Sequence, residues 1–582
     1  MPPHKEPPDE GPTLKFSDRF PATRTELQPV NINPAKSGDV LKQTIRGKYF
    51  RNKTVLKYSR TVSCLRNNIL HSSKPTAKDQ QPLYREIPDT TTPAKGQPSL
   101  YRKHQGTISP VKDQLSFHQK IPDINLQTND KSPNYRKTLG TPATATTSMP
   151  TILQKLLSST STYKAPKFIF QAHEDAAAFN FDLLQSSNFD LDSLLNPPNH
   201  RSVTAYGSEF KPVEDLEQLL RYHPRWMDLK YYLQHGFEFK VHPIPEQERK
   251  EDLAAIIKRG NHQSAKAKRY LLSDALKKEI NKAWALILPI DAWKVLPDLE
   301  VAPMGVASRL GIAATGEYIE KDRITHDLSW RGHSSHESIN SRTEECSLHP
   351  VMFGYCMSRI IHYIVNLRQR HPKKIIWIRK EDFKSAYRRL HLSAKIATKV
   401  GVKLDIKGTE YLLLTLRHPF GGKAGPSHFC LLSNIVVDTI NDLLLCKEWD
   451  DKTVTSNFIK HIPEAEACKE SAPFKEARKL IVDIPAEDEG KCDGYIDDLI
   501  TVVVDIGRNQ ERSKAAPCTI IHAIAHLTQN ELFVERDDQI AIDKCKAEGA
   551  PSEIKICLGW EIDTRRLLMK LPQHKYIAWD TE

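Results

Sequence analysis

No two of the ten cysteines in this 582-residue chain form a Cys-x-x-Cys pair; they stand singly at 64, 346, 356, 430, 446, 468, 492, 518, 545 and 557. Without such pairs or a Cys/His ligand spacing, neither a zinc knuckle nor a disulfide framework is supported, and a reducing compartment is the default. No apolar run in the sequence approaches the ~20 residues that span a bilayer as a helix. The opening MPPHKEPPDEGPT has no apolar stretch of the kind a secretory leader needs. These absences set the expectation of an intracellular protein without a membrane partner, and they do not separate nucleus from cytoplasm. Hydrophobic residues make up 39%, under the usual ~45–50%, so part of the chain is expected to stay unpacked.

The missing tryptophans and the surplus prolines show which part. Residues 1–165 contain none of the 8 tryptophans and 18 of the 38 prolines. They carry 26 Lys+Arg against 12 Asp+Glu, whereas the remainder carries 58 against 60. The net charge of +12 therefore resides in a basic Pro/Ser/Thr-rich tail, read as disordered because its apolar content is too small to offset chain entropy. Within it RGKYFRNKTVLKYSR (46–60) mixes basic and aromatic residues. That pattern suits salt-sensitive nucleic-acid binding, and equally a solvated charge run.

From 166 the pattern is helical. Residues 214–234 have helical periodicity broken near Pro224, a short helix is expected at 245–258, and a longer one should carry Leu272, Leu276, Ile280, Trp284 and Ile287 on one face before ending near Pro289. Residues 166–295 are read as a helical region packed on the segment C-terminal to it. After 296, β-like runs (KKIIWIR, GTEYLLLTLR, YIDDLITVVVDI, EIKICLGWEID) alternate with helical ones such as SHFCLLSNIVVDTINDLLL. This predicts an α+β domain over 296–582, an antiparallel sheet with helices on one face, with a polar insertion at about 447–490. No internal repeat is visible.

The chemistry concentrates in carboxylates. Asp497 and Asp498 lie inside a strand-like run, which places them at or near a tight hairpin turn. Two adjacent carboxylates repel unless a cation shares them. Taken alone such a pair is as compatible with a solvated turn as with Mg²⁺, which takes oxygen ligands and works with phosphates. Asp382, at the end of the apolar run Ile375-Ile376-Trp377-Ile378, is placed to meet the pair across a sheet. Three such carboxylates suffice to hold two metal ions for in-line phosphoryl transfer.

DFKSAY (382–387), HPFGGKAGPSHF (418–429), YIDD (495–498) and LGWEID (558–563) occur here in the order of the conserved blocks of retroelement reverse transcriptases, and DRITHDLSW followed by SIN (322–340) is similar to their fingers block. GNHQSA (260–265) and CLGWEIDTRRLLMKLP resemble one branch of retrotransposon polyproteins. The resemblance covers about 245–582. It implies a right-hand polymerase with fingers and palm. Asp382, Asp497 and Asp498 would be the ligands of two Mg²⁺ ions, with Mn²⁺ as a substitute, and Phe383 would lie beside them. It implies that Tyr387 is the aromatic gate against a 2′-OH, that Phe420 and Gly421 floor the nucleotide pocket, and that Pro426 shapes the helix after it. Arg323, with Lys321 as its looser partner, would grip the triphosphate, and Leu558, Gly559 and Trp560 would form the primer grip. Lys544 and Lys546 both qualify as the general acid.

The resemblance also implies the partners: an RNA template, a primer duplex, dNTPs and other parts of a retroelement polyprotein. The thumb is expected to be largely absent, and no RNase H, integrase or Asp-Ser/Thr-Gly protease block appears. The function expected is RNA-directed DNA polymerisation. The alternative is an inactive or truncated retroelement-derived nucleic-acid-binding protein.

Overall fold

The computed structural model describes residues 148–159, 166–195, 209–312, 318–333, 335–466, 472–479, 488–526, 534–573 and 575. The chain divides into two compact units, Met1–Asp130 and Lys131–Glu582, and every described residue lies in the second. Most of the expected tail, including 46–60, falls outside the described residues. Its last part does not behave as tail: Met149–Ser158 is a helix (α1) with Leu153 and Leu156 buried. Pro150 occupies its first turn, where no N–H is needed. The two leucines, three apart, share one face and dock into the main core.

The central sheet has the strand order β7-β8-β4, where β4 is Ile376–Asp382, β7 Gly490–Tyr495 and β8 Asp498–Val504. β8 reads DLITVVV and is buried from Leu499 to Val504, because both faces of the sheet are covered. On one face lies α7 (Cys356–Arg370), whose Cys356, Ile360, Tyr363, Ile364 and Leu367 form a stripe at helical spacing against Ile376, Ile378, Ile500, Val502 and Val504. Each such side chain contributes roughly 1.5–3 kcal/mol of gross burial. The opposite face carries α8 (Gly425–Leu445) and α9 (Asn509–Ile524), packed with Leu499 and Cys492. Helices on one face only was the expectation; apolar side chains stand at both odd (Leu499, Val503) and even (Ile500, Val502, Val504) positions of β8, and both faces are covered.

The helical region and the α+β region are one compact unit, joined by a strand. Helices α2 (Glu174–Ser186), α3 (Val213–Leu220), α4 (Trp226–His235), α5 (Glu246–Arg259) and α6 (Arg269–Asn281) follow the expected pattern, with the break around Pro224 between α3 and α4. However, α6 stops at Asn281, Ala283 adopts φ +54, and Ala285–Pro289 is strand β1, so Trp284 and Ile287 are not on the helix. ALILP is a short apolar run, which periodicity alone cannot assign to helix or strand. Its partner decides: β1 pairs antiparallel with β6 (Thr409–Thr415) from Ala285↔Thr415 to Pro289↔Tyr411, and β5 (Val402–Ile406) completes the sheet. A separate hairpin joins β2 (Met304–Ile312) to β3 (Tyr318–His326).

Two further expectations change. The 21-residue α8 is long and apolar enough by length and composition to cross a membrane, contrary to the sequence reading; 67% of its most apolar window is buried inside the protein. The insertion is not uniformly loose, since Trp449, Val454, Phe458 and Ile462 enter the core beside α8 and α9. Past it, α10 (Ile542–Glu548) leads into a small sheet of β9 (Ile554–Cys557), β10 (Trp560–Asp563) and β11 (Leu568–Lys570).

Candidate active site

The three aspartates meet at one end of the central sheet. Strand register places Asp382, the last residue of β4, opposite Asp498, the first residue of β8. Tyr495 pairs with Asp498 across the hairpin, so Ile496 and Asp497 form a two-residue turn. The Phe383 amide donates to the Asp497 carbonyl at 3.0 Å, which closes the turn onto the end of β4. Ile496 has φ +59, a conformation that a β-branched residue rarely adopts and that costs roughly 1–3 kcal/mol. Strain of this kind is held only where the surroundings dictate the backbone, here by pairing on both sides of β8.

The carboxylates are electrostatically crowded. Burial, with repulsion from Asp497 and Asp498 and against the pull of Lys544, raises Asp382 to about 7. Burial and then Asp498 raise Asp497 to about 6, with Lys544 and Arg323 acting in the opposite direction. The Lys544 ammonium donates to Asp382 Oδ1 at 2.5 Å. Burial works against its charge, and Asp382 outweighs it, so its pKa is raised. The sequence left Lys544 and Lys546 equivalent. The fold separates them: the Lys384 and Ala541 amides donate to the Gln539 and Asp382 carbonyls (2.8 and 3.0 Å), which seats the start of α10 on the end of β4. Two residues further along a helix is a turn of ~200°, so Lys546 does not share the face of Lys544. Three carboxylates offer only oxygen ligands, the chemistry that suits a hard divalent cation, although their oxygens do not all lie within 4.8 Å of one another.

An aromatic wall stands beside them. Tyr387 packs 5.8 Å from Phe420 at 32° and 6.1 Å from Phe429. Burial first, then Asp497, pushes the Tyr387 phenol up. Phe383 is buried edge-on against Phe429, with its ring in the core. Gly421 adopts φ +124, and a Cβ there would lie 2.1 Å from the His326 carbonyl oxygen, so only glycine fits. Pro426 sits in the first turn of α8.

Arg323 and Lys321 are two apart on β3 and share a face. Arg323 is exposed. The neighbouring acids that could have held Arg323 are engaged elsewhere, Asp322 with Lys268 (2.6 Å) and Asp327 with His262 (2.9 Å). Leu558 (φ +49) and Gly559 (φ +87) form the two-residue turn of β9–β10, closed by the pair Cys557↔Trp560. Positive φ at both positions matches the twist of a hairpin. Leu558 is partly buried against the apolar cluster that α7 forms with the central sheet. Among the described residues, no hydrogen bond or ion pair joins 558–560 to the aspartates.

Sequence reasoning assigned no role to Asn340, which bonds both to the loop after β3 and to the Phe420–Gly421 loop. It also missed Glu209, 4% exposed, which accepts from Arg389 at 2.5 Å and from Trp284 Nε1 at 2.8 Å. Asn340 closes the Ser338-Ile339-Asn340 stretch of the fingers-like block; Glu209 had no signal around it.

No family model matches the chain, and no curated protein does. Among solved structures it is similar to the foamy viral protease-reverse transcriptase in complex with dsDNA, at 12% identity and TM-score 0.30, over 65% of this chain and 59% of that one. It is also similar to that enzyme in complex with an RNA/DNA hybrid, at 11% identity and TM-score 0.29, over 64% of this chain and 38% of that one. The chain thus spans less than two thirds of the length of the structures it resembles.

Proposed function

We propose that this protein is an RNA-directed DNA polymerase of a retroelement, adding dNTPs to a primer 3′-OH on an RNA or DNA template. The observation that carries the reading is the convergence of Asp382 with Asp497 and Asp498 across one register pair. Burial first, and then repulsion between neighbouring carboxylates, raises Asp382 to about 7 and Asp497 to about 6. A site that binds hard divalent cations has a physical need for that arrangement. Two Mg²⁺ ions, or Mn²⁺ in their place, would when bound activate the attacking hydroxyl and neutralise charge on the leaving pyrophosphate.

The chain's own residues then have distinct tasks. Arg323 and Lys321 present cations to the triphosphate from β3. Tyr387, backed by Phe420 and Phe429, is the wall that a ribose 2′-OH would strike, and the 2′-OH is what separates RNA precursors from DNA precursors. Lys544, held at Asp382, is the proton donor nearest the carboxylates. The turn at Leu558, Gly559 and Trp560 abuts the primer strand. Template RNA, primer duplex and other parts of the element's polyprotein are the proposed partners, inside the cell. Positioning and charge neutralisation carry most of such a reaction.

A nucleic-acid-binding protein without turnover is the second reading, favoured by the ion pair that already satisfies Asp382 through Lys544. Primer extension on an RNA template with dNTPs separates the two. Mg²⁺-dependent extension that disappears in Asp497→Asn/Asp498→Asn is expected; duplex binding without extension in the unaltered chain would overturn the polymerase reading.

A further inference from the structure

We propose that Asn340 is a positioning residue whose carboxamide locks the loop 419–423 onto the loop after β3 and thereby sets the nucleotide pocket; the proposal deepens the polymerase reading and rests on it. Asn340 Nδ2 donates to the Gly421 carbonyl and to Ser329 Oγ, each at 2.9 Å. Its Oδ1 accepts from the Lys423 amide at 2.9 Å. Its own amide donates to the Leu328 carbonyl at 2.9 Å, which fixes the side chain to the loop after β3. Only a carboxamide offers two donors and an acceptor on one plane. A carboxylate keeps the contact to Lys423 and loses both donors; glutamine is a methylene too long.

The clamp matters at the exposed tip of the loop, because the loop's far end is separately held by the Lys423 ammonium, which donates to the Thr343 carbonyl at 3.2 Å and pairs with Glu345 at 3.0 Å. Phe420 is 43% exposed, so core packing does not fix its ring opposite Tyr387. The backbone fixes it instead, through the His326 amide donating to the Phe420 carbonyl at 2.9 Å and through Asn340 on the next carbonyl. At Gly421 the chain runs so close to the His326 carbonyl that no side chain fits. A loop at φ +124 has many other conformations open to it once the clamp is removed, because glycine admits them. Asn340 therefore decides how often Phe420 and Tyr387 stand in register for an incoming nucleotide, without touching the reacting atoms.

The full chain and its Asn340→Ala, Asn340→Asp and Ser329→Ala variants would be compared in two ways. Amide hydrogen exchange over 419–425 should accelerate about tenfold or more in both Asn340 variants and less in Ser329→Ala, with β4 and β8 peptides unchanged. In single-nucleotide extension, KM for dNTP should rise roughly tenfold while kcat changes less than threefold. Unchanged exchange in both Asn340 variants overturns the clamp, and so does a fall in kcat with constant KM or a loss of protection across the central sheet. An unaltered chain that extends no primer overturns the polymerase reading instead, and the exchange arm still decides the clamp.

Discussion

Lys544 and Asp382, 162 positions apart in sequence, are joined by a 2.5 Å bond between ammonium and carboxylate. That contact makes one lysine distinct from its neighbour two residues away. If Lys544 supplies the proton, Lys544→Ala should lower the rate of single-nucleotide extension by about 10²-fold. Lys546→Ala should stay within about twofold of the unaltered rate. The pH profile of single-turnover extension should lose its basic limb in Lys544→Ala alone; equal losses in both variants would refute the assignment.

The carboxylate cluster predicts how stability follows pH when no divalent cation is bound. Asp382 and Asp497 titrate in the folded chain at about 7 and about 6, above the ordinary 3.8. A raised folded value means that their contribution is intact below pH ~4 and is lost as pH rises through 6 to 7. In EDTA, Asp497→Asn should therefore stabilise the protein at pH 8, by about 1–2 kcal/mol, and leave it unchanged near pH 4. Added Mg²⁺ should raise the melting temperature of the unaltered chain more at pH 8 than at pH 5. Melting curves at the two pH values check both.

Tyr387 should govern sugar choice. Replacing it with valine removes the ring that stands between Phe420 and Phe429. The preference for dNTP over rNTP is expected to fall by roughly 10–100-fold, through faster rNTP insertion. Ratios of kcat/KM for the two nucleotides provide the test, and an unchanged ratio would remove Tyr387 from the pocket wall.

Gly421→Ala should be costly out of proportion to its size. The new methyl would sit 2.1 Å from a backbone oxygen, in a conformation L residues avoid. A loss of about 2–3 kcal/mol is expected, seen as a lower melting temperature, since the strain adds to the clash. Gly408→Ala, at φ +92 with open space around it, isolates the backbone part of the cost.

Glu209 should act as a structural anchor. Arg389 and Arg417, 1% and 0% exposed, face its carboxylate. Burial opposes its charge, and Arg389 and Arg417 outweigh it, so its pKa is lowered. The stability it contributes is present above the ordinary carboxylate range and is lost on acidification through the lowered value. Glu209→Ala is expected to cost about 3–5 kcal/mol near neutral pH, because two buried guanidiniums lose the acid they face. Chemical denaturation at pH 7 measures it.

What the sequence by itself determined is local. The strand carrying Asp382 and the hairpin around Tyr495-Ile496-Asp497-Asp498 were visible, because a strand, a tight turn and its flanking apolar runs occupy a few consecutive residues; EIKICLGWEID reads as one strand, and the structure folds it into two around a turn at Leu558-Gly559. Even the convergence of the aspartates was legible once the strands were recognised, since antiparallel pairing leaves few registers. The tertiary structure alone decided the rest. ALILP became a strand only because β6 lay alongside it, and the choice of Lys544 over Lys546 depended on where backbone pairing at 539–541 seats α10. Glu209 acquired its place from arginines 180 and more positions away, and Asn340 its task from a loop some 80 positions on. Each of these is a contact between segments whose separation in sequence carries no pattern, so it exists only once the chain has folded.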